Sequence, residues 1–86
     1  MNYRIEWEQE ARQLLLNLDP TIVHRIIDRV NWLSLNFDNI RPKRLTARLR
    51  GYYRIRVGDY RIIYSIIRKD RILIINYVGH RKDIYK

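Results

Sequence analysis

The chain has 86 residues, of which 47% are hydrophobic and 12% aromatic, so it can build the core of one small domain spanning residues 1–86. It contains no cysteine, which excludes a disulfide framework and a thiolate metal site. No apolar run approaches the roughly 18 residues that a membrane-spanning helix needs, and the N-terminus lacks the apolar stretch of a signal peptide. We therefore expect a cytoplasmic protein that does not associate with membranes.

The charge is strongly positive and unevenly distributed. The net charge is +9; residues 1–40 carry four arginines against six carboxylates, or −2, whereas residues 41–86 carry fourteen basic residues against three aspartates, or +11. Most of these cations are arginines, whose planar guanidinium matches phosphate better than the point charge of lysine does. The distribution predicts a polyanionic partner, most naturally nucleic acid, although a merely basic surface is the alternative.

The first half of the chain predicts a strand followed by two helices. Residues 2–7 alternate apolar and polar side chains, which is typical of a half-buried strand. From Glu8 the apolar residues recur at helical spacing as far as Leu18. Asp19 and Pro20 then form an N-cap and a first helical position, and a second apolar stripe continues to about residue 36.

The second half predicts a connection and three strands. Residues 37–51 form the connection, with one turn of structure around Leu45 and Leu49, and strands follow at 52–57, 60–67 and 71–78. The predicted fold is α+β with the order β-α-α-β-β-β, in which a two-helix hairpin packs on a mostly antiparallel four-stranded sheet.

A two-residue turn at Gly58 and Asp59 sets the register of the first hairpin. Val57 then pairs with Tyr60, and Arg56 lies directly opposite Arg61. Because side chains alternate along a strand, Arg54, Arg56 and Arg61 share one face of the sheet. Like charges placed opposite one another cost a few tenths to about 1 kcal/mol unless the long side chains splay into water, so the cluster favours a function.

The second hairpin brings the C-terminal residues to the same place. Pairing Ile67 with Ile72 sets Arg61 opposite Val78, immediately before Gly79. The resulting basic patch is predicted to contain Arg54, Arg56, Arg61, His80 and Arg81, with Tyr85 closing it.

The same face also carries apolar residues. They are Ile63, Ile67, Ile72, Ile74 and Val78 in the predicted register. Two helices can cover only one face of the sheet, so either the chain's own loop and C-terminus or a partner protein covers this one.

Two motifs resemble one known family. The sequences LRGYYRIRVGDYRIIY and VGHRKDIY, together with the order of elements and the basicity, resemble the RelE/ParE superfamily of bacterial type II toxins. RelE-like members cut mRNA in the ribosomal A site, and ParE-like members inhibit DNA gyrase; the motifs here are more similar to the RelE branch. The resemblance implies catalytic roles for Arg54, Arg56, Arg61, Arg81 and Tyr85, a cognate antitoxin as partner, and no cofactor.

One position departs from the resemblance. RelE itself commonly has lysines where this chain has Arg54 and Arg56, and arginine is a poor general base because it stays protonated. Histidine has an unperturbed pKa of about 6.5, so His80 is our candidate for general base or acid. The remaining cations predicted to contact RNA are Lys43, Arg44, Arg48, Arg50 and Lys82.

Three functions compete at this point. The first is a ribosome-dependent mRNA endonuclease that a small antitoxin neutralises. The second is a gyrase inhibitor without nuclease activity. The third is a simple RNA- or DNA-binding module, which explains the charge but not the GHRKDIY ending.

Overall fold

The structure is a computed structural model that describes residues 2–84, and for Asp83 and Ile84 it describes the backbone alone. It consists of two helices packed on one face of a five-stranded sheet. The elements, in chain order, are β1 (Arg4–Trp7), α1 (Gln9–Leu16), α2 (Pro20–Asn36), β2 (Lys43–Arg44), β3 (Tyr53–Val57), β4 (Tyr60–Ile67) and β5 (Ile72–His80), followed by one helical turn at Arg81–Ile84. None of the helices in residues 2–84 is long and apolar enough to cross a membrane.

The helices begin where the sequence predicts. The Asp19 carboxylate accepts a hydrogen bond from the Thr21 N–H at 2.9 Å, and Pro20 occupies the first turn of α2. The buried positions of α2 are Ile26, Val30 and Leu33, which follow the predicted stripe.

The sheet has the order β1-β5-β4-β3-β2, with β1 parallel to β5 and every other pair antiparallel. The predicted α+β class is confirmed, but within residues 2–84 the sheet has five strands and not four. The additional strand is β2, whose two residues pair with Arg54 and Tyr53. It is too short to leave a periodic signal, and Pro42 precedes it directly. The predicted turn in the connection corresponds to the 3₁₀ helix Ala47–Leu49.

The register of the first hairpin is confirmed at each predicted pair, including Arg56 opposite Arg61 and Arg54 opposite Ile63. Gly58 has a φ of +57°, a value that glycine tolerates and that tight hairpin turns require.

The predicted register of the second hairpin is right at Ile67 and Ile72 but wrong at Arg61, which faces Gly79 and not Val78. The cause is a β-bulge: Ile63 pairs with Tyr77 and Tyr64 with Ile75, so Asn76 is one extra residue in β5. The bulge reverses the side-chain alternation beyond it. Val78 therefore joins the hydrophobic core at 1% exposure, and the expectation that it shares a face with the arginines is wrong.

Hydrogen bonds hold the bulge residue in place. The Asn76 amide donates to Glu8 Oε1 at 2.9 Å, and the Ser65 hydroxyl donates to Asn76 Oδ1 at 3.0 Å. A half-buried bulge residue with these partners is a fixed feature of β5.

The two faces of the sheet have different surroundings. On the helix face, buried residues of both helices and of β3 to β5 form one cluster. The opposite face, here called the open face, carries Arg54, Arg56, Arg61, Ile63 and Tyr77. Ile63 is nevertheless only 6% exposed, because residues of the connection, including Leu49, border a groove beside it. The chain's own loop thus covers part of the open face.

Candidate nucleic-acid interface

A row of four cations crosses the open face where β2, β3 and β4 meet. Lys43 lies opposite Arg54, and Arg56 lies opposite Arg61. Side chains that face one another across antiparallel strands have Cβ atoms only about 4.5–5.5 Å apart. We call Lys43, Arg54, Arg56 and Arg61 the cation row; the sheet register alone brings its members together.

Arg61 lies differently from the others. It is 5% exposed, and its guanidinium Nη1 donates to the carbonyl oxygens of Gly58 and Tyr60, at 3.2 Å each. Its buried Nε has no hydrogen-bond partner among the described residues. The carbonyls compensate the charge of Arg61, while Arg56 stays exposed, so the two opposed cations avoid one another. Lys43 and Arg56 are exposed and Arg54 is half-buried, whereas Arg61 is buried.

Arg81 lies at the β3–β4 turn. Its backbone N–H donates to the Asp59 carbonyl at 2.8 Å, and its Nε is 3.8 Å from Asp59 Oδ1. Both side chains are more than half exposed, so this ion pair contributes little to stability and leaves the guanidinium available. Arg81 therefore lies beside the β3–β4 turn, next to the end of β4 at which Arg61 lies.

His80 was predicted to belong to the basic patch, but it does not lie on the open face with the arginines. It pairs with Tyr60, whose side chain points to the helix face, and the two rings meet edge to face at 5.4 Å. Its Nδ1 accepts a hydrogen bond from the Lys82 N–H at 3.2 Å, so a neutral ring carries its proton on Nε2. The bulge at Asn76 caused the error, because it shifts every later residue of β5 by one position.

Tyr77 is an aromatic group of the open face that the sequence patterns did not single out. A Cβ atom added at Gly79 would lie 2.6 Å from the Tyr77 ring, so this ring lies directly over the glycine. A glycine inside a strand often marks a close approach, which is the signal that was available in the sequence.

A groove of about 560 Å³ lies on the open face beside Ile63, the residue that separates Arg54 from Tyr77 across the strands. Tyr52, Tyr77 and Arg48 border it, and Glu8 and Asn76 form its polar end. The sequence patterns predicted only Arg48 as a contact here. Aromatic rings beside cations suit single-stranded nucleic acid, because bases stack on the rings while phosphates contact the cations.

The other predicted contacts surround this region. Exposed side chains include Lys43, Arg44, Arg48, Arg50 and Lys82. Tyr85 lies outside the described residues. Among the side chains that the structure describes, no group of three or more His, Asp or Glu residues could hold a metal ion.

The sequence comparisons identify the family. The profile of the family described as ParE toxin of type II toxin-antitoxin system, parDE, matches residues 5–85. The toxin RelG of Mycobacterium tuberculosis is 31% identical over 87 residues, covering 100% of this chain and 99% of the relative. The chain therefore belongs to this family of the RelE/ParE superfamily of type II toxins, which confirms the resemblance seen in the two motifs.

The structural comparisons agree. A chain of the toxin–antitoxin complex RelBE2 of Mycobacterium tuberculosis superposes with a TM-score of 0.84 at 28% identity, covering 94% of this chain and 100% of that one. A chain of the RelE–RelB complex of Pyrococcus horikoshii gives 0.74 at 27% identity, covering 94% and 97%. An Escherichia coli RelE variant in the free state gives 0.78 at 18% identity, covering 99% and 92%, and supports the fold alone.

Proposed function

We propose that this toxin cuts mRNA on the ribosome, and that the cation row is the surface that holds the scissile phosphate. The observation that carries the proposal is the placement of Arg54 and Arg56 on the face that the two helices leave uncovered, which also carries the Tyr52 and Tyr77 rings of the groove. Arg54 and Arg56 lie two residues apart on the same face of β3, so both guanidiniums can donate charge-assisted hydrogen bonds to one phosphate.

The proposed reaction needs no metal. The ribose 2′-oxygen attacks the adjacent phosphorus, the bond from phosphorus to the 5′-oxygen breaks, and the products are a 2′,3′-cyclic phosphate and a 5′-hydroxyl. Arg54 and Arg56 stabilise the extra negative charge that develops on the phosphate oxygens. Arg81 contacts the phosphate near the leaving oxygen. Tyr85 remains a predicted stacking or orienting residue.

The 2′-hydroxyl must lose a proton and the leaving oxygen must gain one. Arginine cannot accept the first proton at neutral pH. His80 lies on the other face of the strand with its Nδ1 already accepting a hydrogen bond, which argues against it as the general base. We assign acceptance of the 2′-hydroxyl proton, and donation of a proton to the leaving 5′-oxygen, to water molecules at the bound RNA, and charge stabilisation to the arginines.

The proposed partners are a cognate antitoxin and mRNA in the ribosomal A site. The related chains from Mycobacterium tuberculosis and Pyrococcus horikoshii were solved in complexes with their antitoxins. An antitoxin segment that is acidic or amphipathic would complement a half-chain of +11 charge and the exposed Ile67 on the open face. Action on the ribosome places the protein in the cytoplasm.

One observation favours a second candidate function. The matching family is described by the name of ParE, and the ParE branch inhibits DNA gyrase. A gyrase inhibitor would use the same scaffold as a binding surface, and its activity would not depend on Arg54 and Arg56 acting on one phosphate.

Mapping mRNA 5′ ends after a brief induction separates the two functions. The nuclease predicts new ends at a fixed position within codons, which Arg56→Ala abolishes. Lys69→Ala is the matched control, since it removes an exposed cation in the turn at the opposite end of the β4–β5 hairpin. Induction of a DNA-damage response with no new mRNA ends would instead support gyrase inhibition.

A further inference from the structure

A second cationic recess lies at the outer edge of the sheet, outside the groove of the open face. It has a volume of about 300 Å³ and lies between α2, the segment that precedes β2, and β3. Ile40, Ile55 and Tyr64 supply its apolar surface. Burial raises the pKa of the Tyr64 phenol, so this residue stays a neutral aromatic at physiological pH.

The recess exists because β2 is short. β2 pairs only with Tyr53 and Arg54 of β3. Pro42, which comes next along the edge, has no N–H to extend the ladder. β2 therefore does not pair with β3 at Ile55 and Arg56, and the recess lies between this unpaired edge of β3 and α2.

Its charge is of one sign. Half of its ten lining residues are cations and none is a carboxylate; the cations are Arg29, Arg41, Lys43, Arg54 and Arg56. A shallower recess next to it contains one carboxylate, Asp28. Because Lys43, Arg54 and Arg56 also belong to the cation row, the positive surface runs from the open face around the edge of the sheet to α2.

Trp32 supplies an aromatic group at this recess. It is 39% exposed, an unusual degree for tryptophan, and the Arg29 guanidinium lies 4.2 Å from the centre of its ring. An indole and a guanidinium both offer planar faces on which a base can stack. The sequence patterns indicate only a packing or surface role for Trp32.

We propose that this recess binds a nucleotide of single-stranded RNA that flanks the cleaved position. The base stacks against Trp32 and Arg29, and the neighbouring phosphate contacts Arg41 and Lys43. The proposal rests on the proposed function, because the same RNA strand then continues to Arg54 and Arg56. The joined cationic surface and the stacking groups favour RNA over an acidic peptide, which would match the charge but not the paired planar groups.

Tryptophan fluorescence tests the proposal directly, since the chain has two tryptophans, Trp7 and Trp32. In the Trp7→Phe variant, Trp32 is the only indole. Titration with a 2′-O-methyl hexanucleotide, which cannot be cleaved by 2′-oxygen attack, should quench its emission in a saturable and salt-sensitive manner. The Trp32→Phe variant retains Trp7, which packs against the core, and should show no quenching.

Affinity measurements use a matched pair of arginines. Arg29→Gln should weaken binding of the labelled hexanucleotide about 10-fold in fluorescence anisotropy, and Trp32→Ala by a similar factor. Arg12→Gln removes an equal charge from α1, at a pocket that Leu16 and Ile27 line, and should change the affinity less than twofold. Thermal melting of each variant verifies that it is folded.

The outcomes are distinct. No quenching in Trp7→Phe, equal quenching in Trp32→Phe, or equal effects of Arg29→Gln and Arg12→Gln would overturn the proposal. Quenching by a poly-glutamate peptide but not by the oligonucleotide would assign the recess to a protein partner and also overturn the proposal.

If the quenching is found but induction yields no new mRNA ends, the proposed cleavage fails while the RNA site stands. If ends depend on Arg56 but not on Trp32, and no quenching occurs, only the recess proposal fails.

Discussion

The two faces of the sheet are built from the same strands, but one is packed with apolar side chains and the other carries cations that are only partly covered. On the helix face, Ile62, Tyr64, Leu73, Ile75 and Val78 are at most 1% exposed and pack in one cluster with both helices. On the open face, cations oppose one another, a glycine lies beneath a tyrosine, and a loop covers only part of the apolar surface. The helix face accounts for the stability of the fold, and the open face departs from what stability alone would select.

The β-bulge at Asn76 decides which residues of β5 reach each face. With it, Val78 is in the core and Tyr77 and Gly79 are on the open face. Without it, alternation would place Tyr77 and Gly79 in the core and Val78 among the arginines. The composition of both faces therefore depends on one residue.

Deleting Asn76 should have the largest effect on stability. The deletion forces either a register slip or a strained strand, and it removes the buried Val78 from the core, so we expect a loss of about 3 kcal/mol or more. Urea unfolding monitored by circular dichroism measures it. Asn76→Ala retains the bulge, loses the hydrogen bonds to Ser65 and Glu8, and should cost only about 1 kcal/mol. Equal losses in the two variants would contradict this role of the bulge.

The opposed arginines should separate function from stability. Arg56→Ala is expected to lower the cleavage rate about 100-fold or more, because it removes a charge at the developing phosphorane, and to change stability by less than about 0.5 kcal/mol. Arg61→Ala should lower stability by about 1–2 kcal/mol, since the carbonyls of Gly58 and Tyr60 lose their donor. Denaturant unfolding and cleavage kinetics of both variants distinguish these effects. If Arg61→Ala slows cleavage more than Arg56→Ala does, Arg61 is the more important cation for the reaction despite its burial.

His80→Ala tests whether a residue on the helix face contributes to cleavage. Because His80 lies on the helix face with Tyr60, we expect cleavage within about threefold of the unmodified chain, well below the effect of a true general base. A cleavage assay across pH 6–8 measures this. A loss near 100-fold, together with a change in the pH profile, would restore His80 as the proton-transfer residue.

Gly79→Ala should have a moderate effect that depends on Tyr77. The new methyl group would lie 2.6 Å from the ring, so the ring must move, at a cost of about 1 kcal/mol. If the ring causes this cost, adding Gly79→Ala to the Tyr77→Ala variant should lower its stability by much less than Gly79→Ala lowers the stability of the unmodified chain. Additive losses in thermal melts would indicate that the ring does not restrict position 79.

The smallest expected effect lies away from both faces, at the ion pair of Asp38 and Arg71. The Arg71 guanidinium donates to Asp38 at 2.7 Å and lowers the pKa of this carboxyl below its ordinary value of 3.8. A folded-state pKa below the unfolded value stabilises the protein above pH 3.8, and the contribution is lost as the pH falls through the folded value. The stability difference between the unmodified chain and Asp38→Asn should therefore be present at pH 7 and should shrink below about pH 4. A difference that persists unchanged at pH 2.5 would contradict the assignment. Because the Asp38 side chain is exposed and the Arg71 side chain only partly buried, we expect the effect to be slight.

The sequence predicted an element correctly where a single local pattern, such as hydrophobic periodicity, a helix cap or a tight turn, determines it. Hydrophobic periodicity and the cap at Asp19 predicted both helices, and the turn at Gly58 predicted every pair of the first hairpin. The bulge at Asn76 was not predictable, because its hydrogen bonds join residues as distant in sequence as Glu8. The wrong placement of His80 and Val78 follows from that single omission. The burial of Arg61 and the exposure of Trp32 depend on tertiary packing, for which local patterns carry no signal.

The most direct test of the account is cleavage of an mRNA programmed on purified ribosomes, with a single 2′-deoxy substitution at the nucleotide whose 2′-oxygen attacks. The account predicts that the all-ribose mRNA is cut to a 2′,3′-cyclic phosphate end, that the deoxy mRNA is not cut, and that Arg56→Ala slows the cut about 100-fold or more. Equal cleavage of the two mRNAs, or no cleavage accompanied by inhibition of gyrase supercoiling, would contradict it.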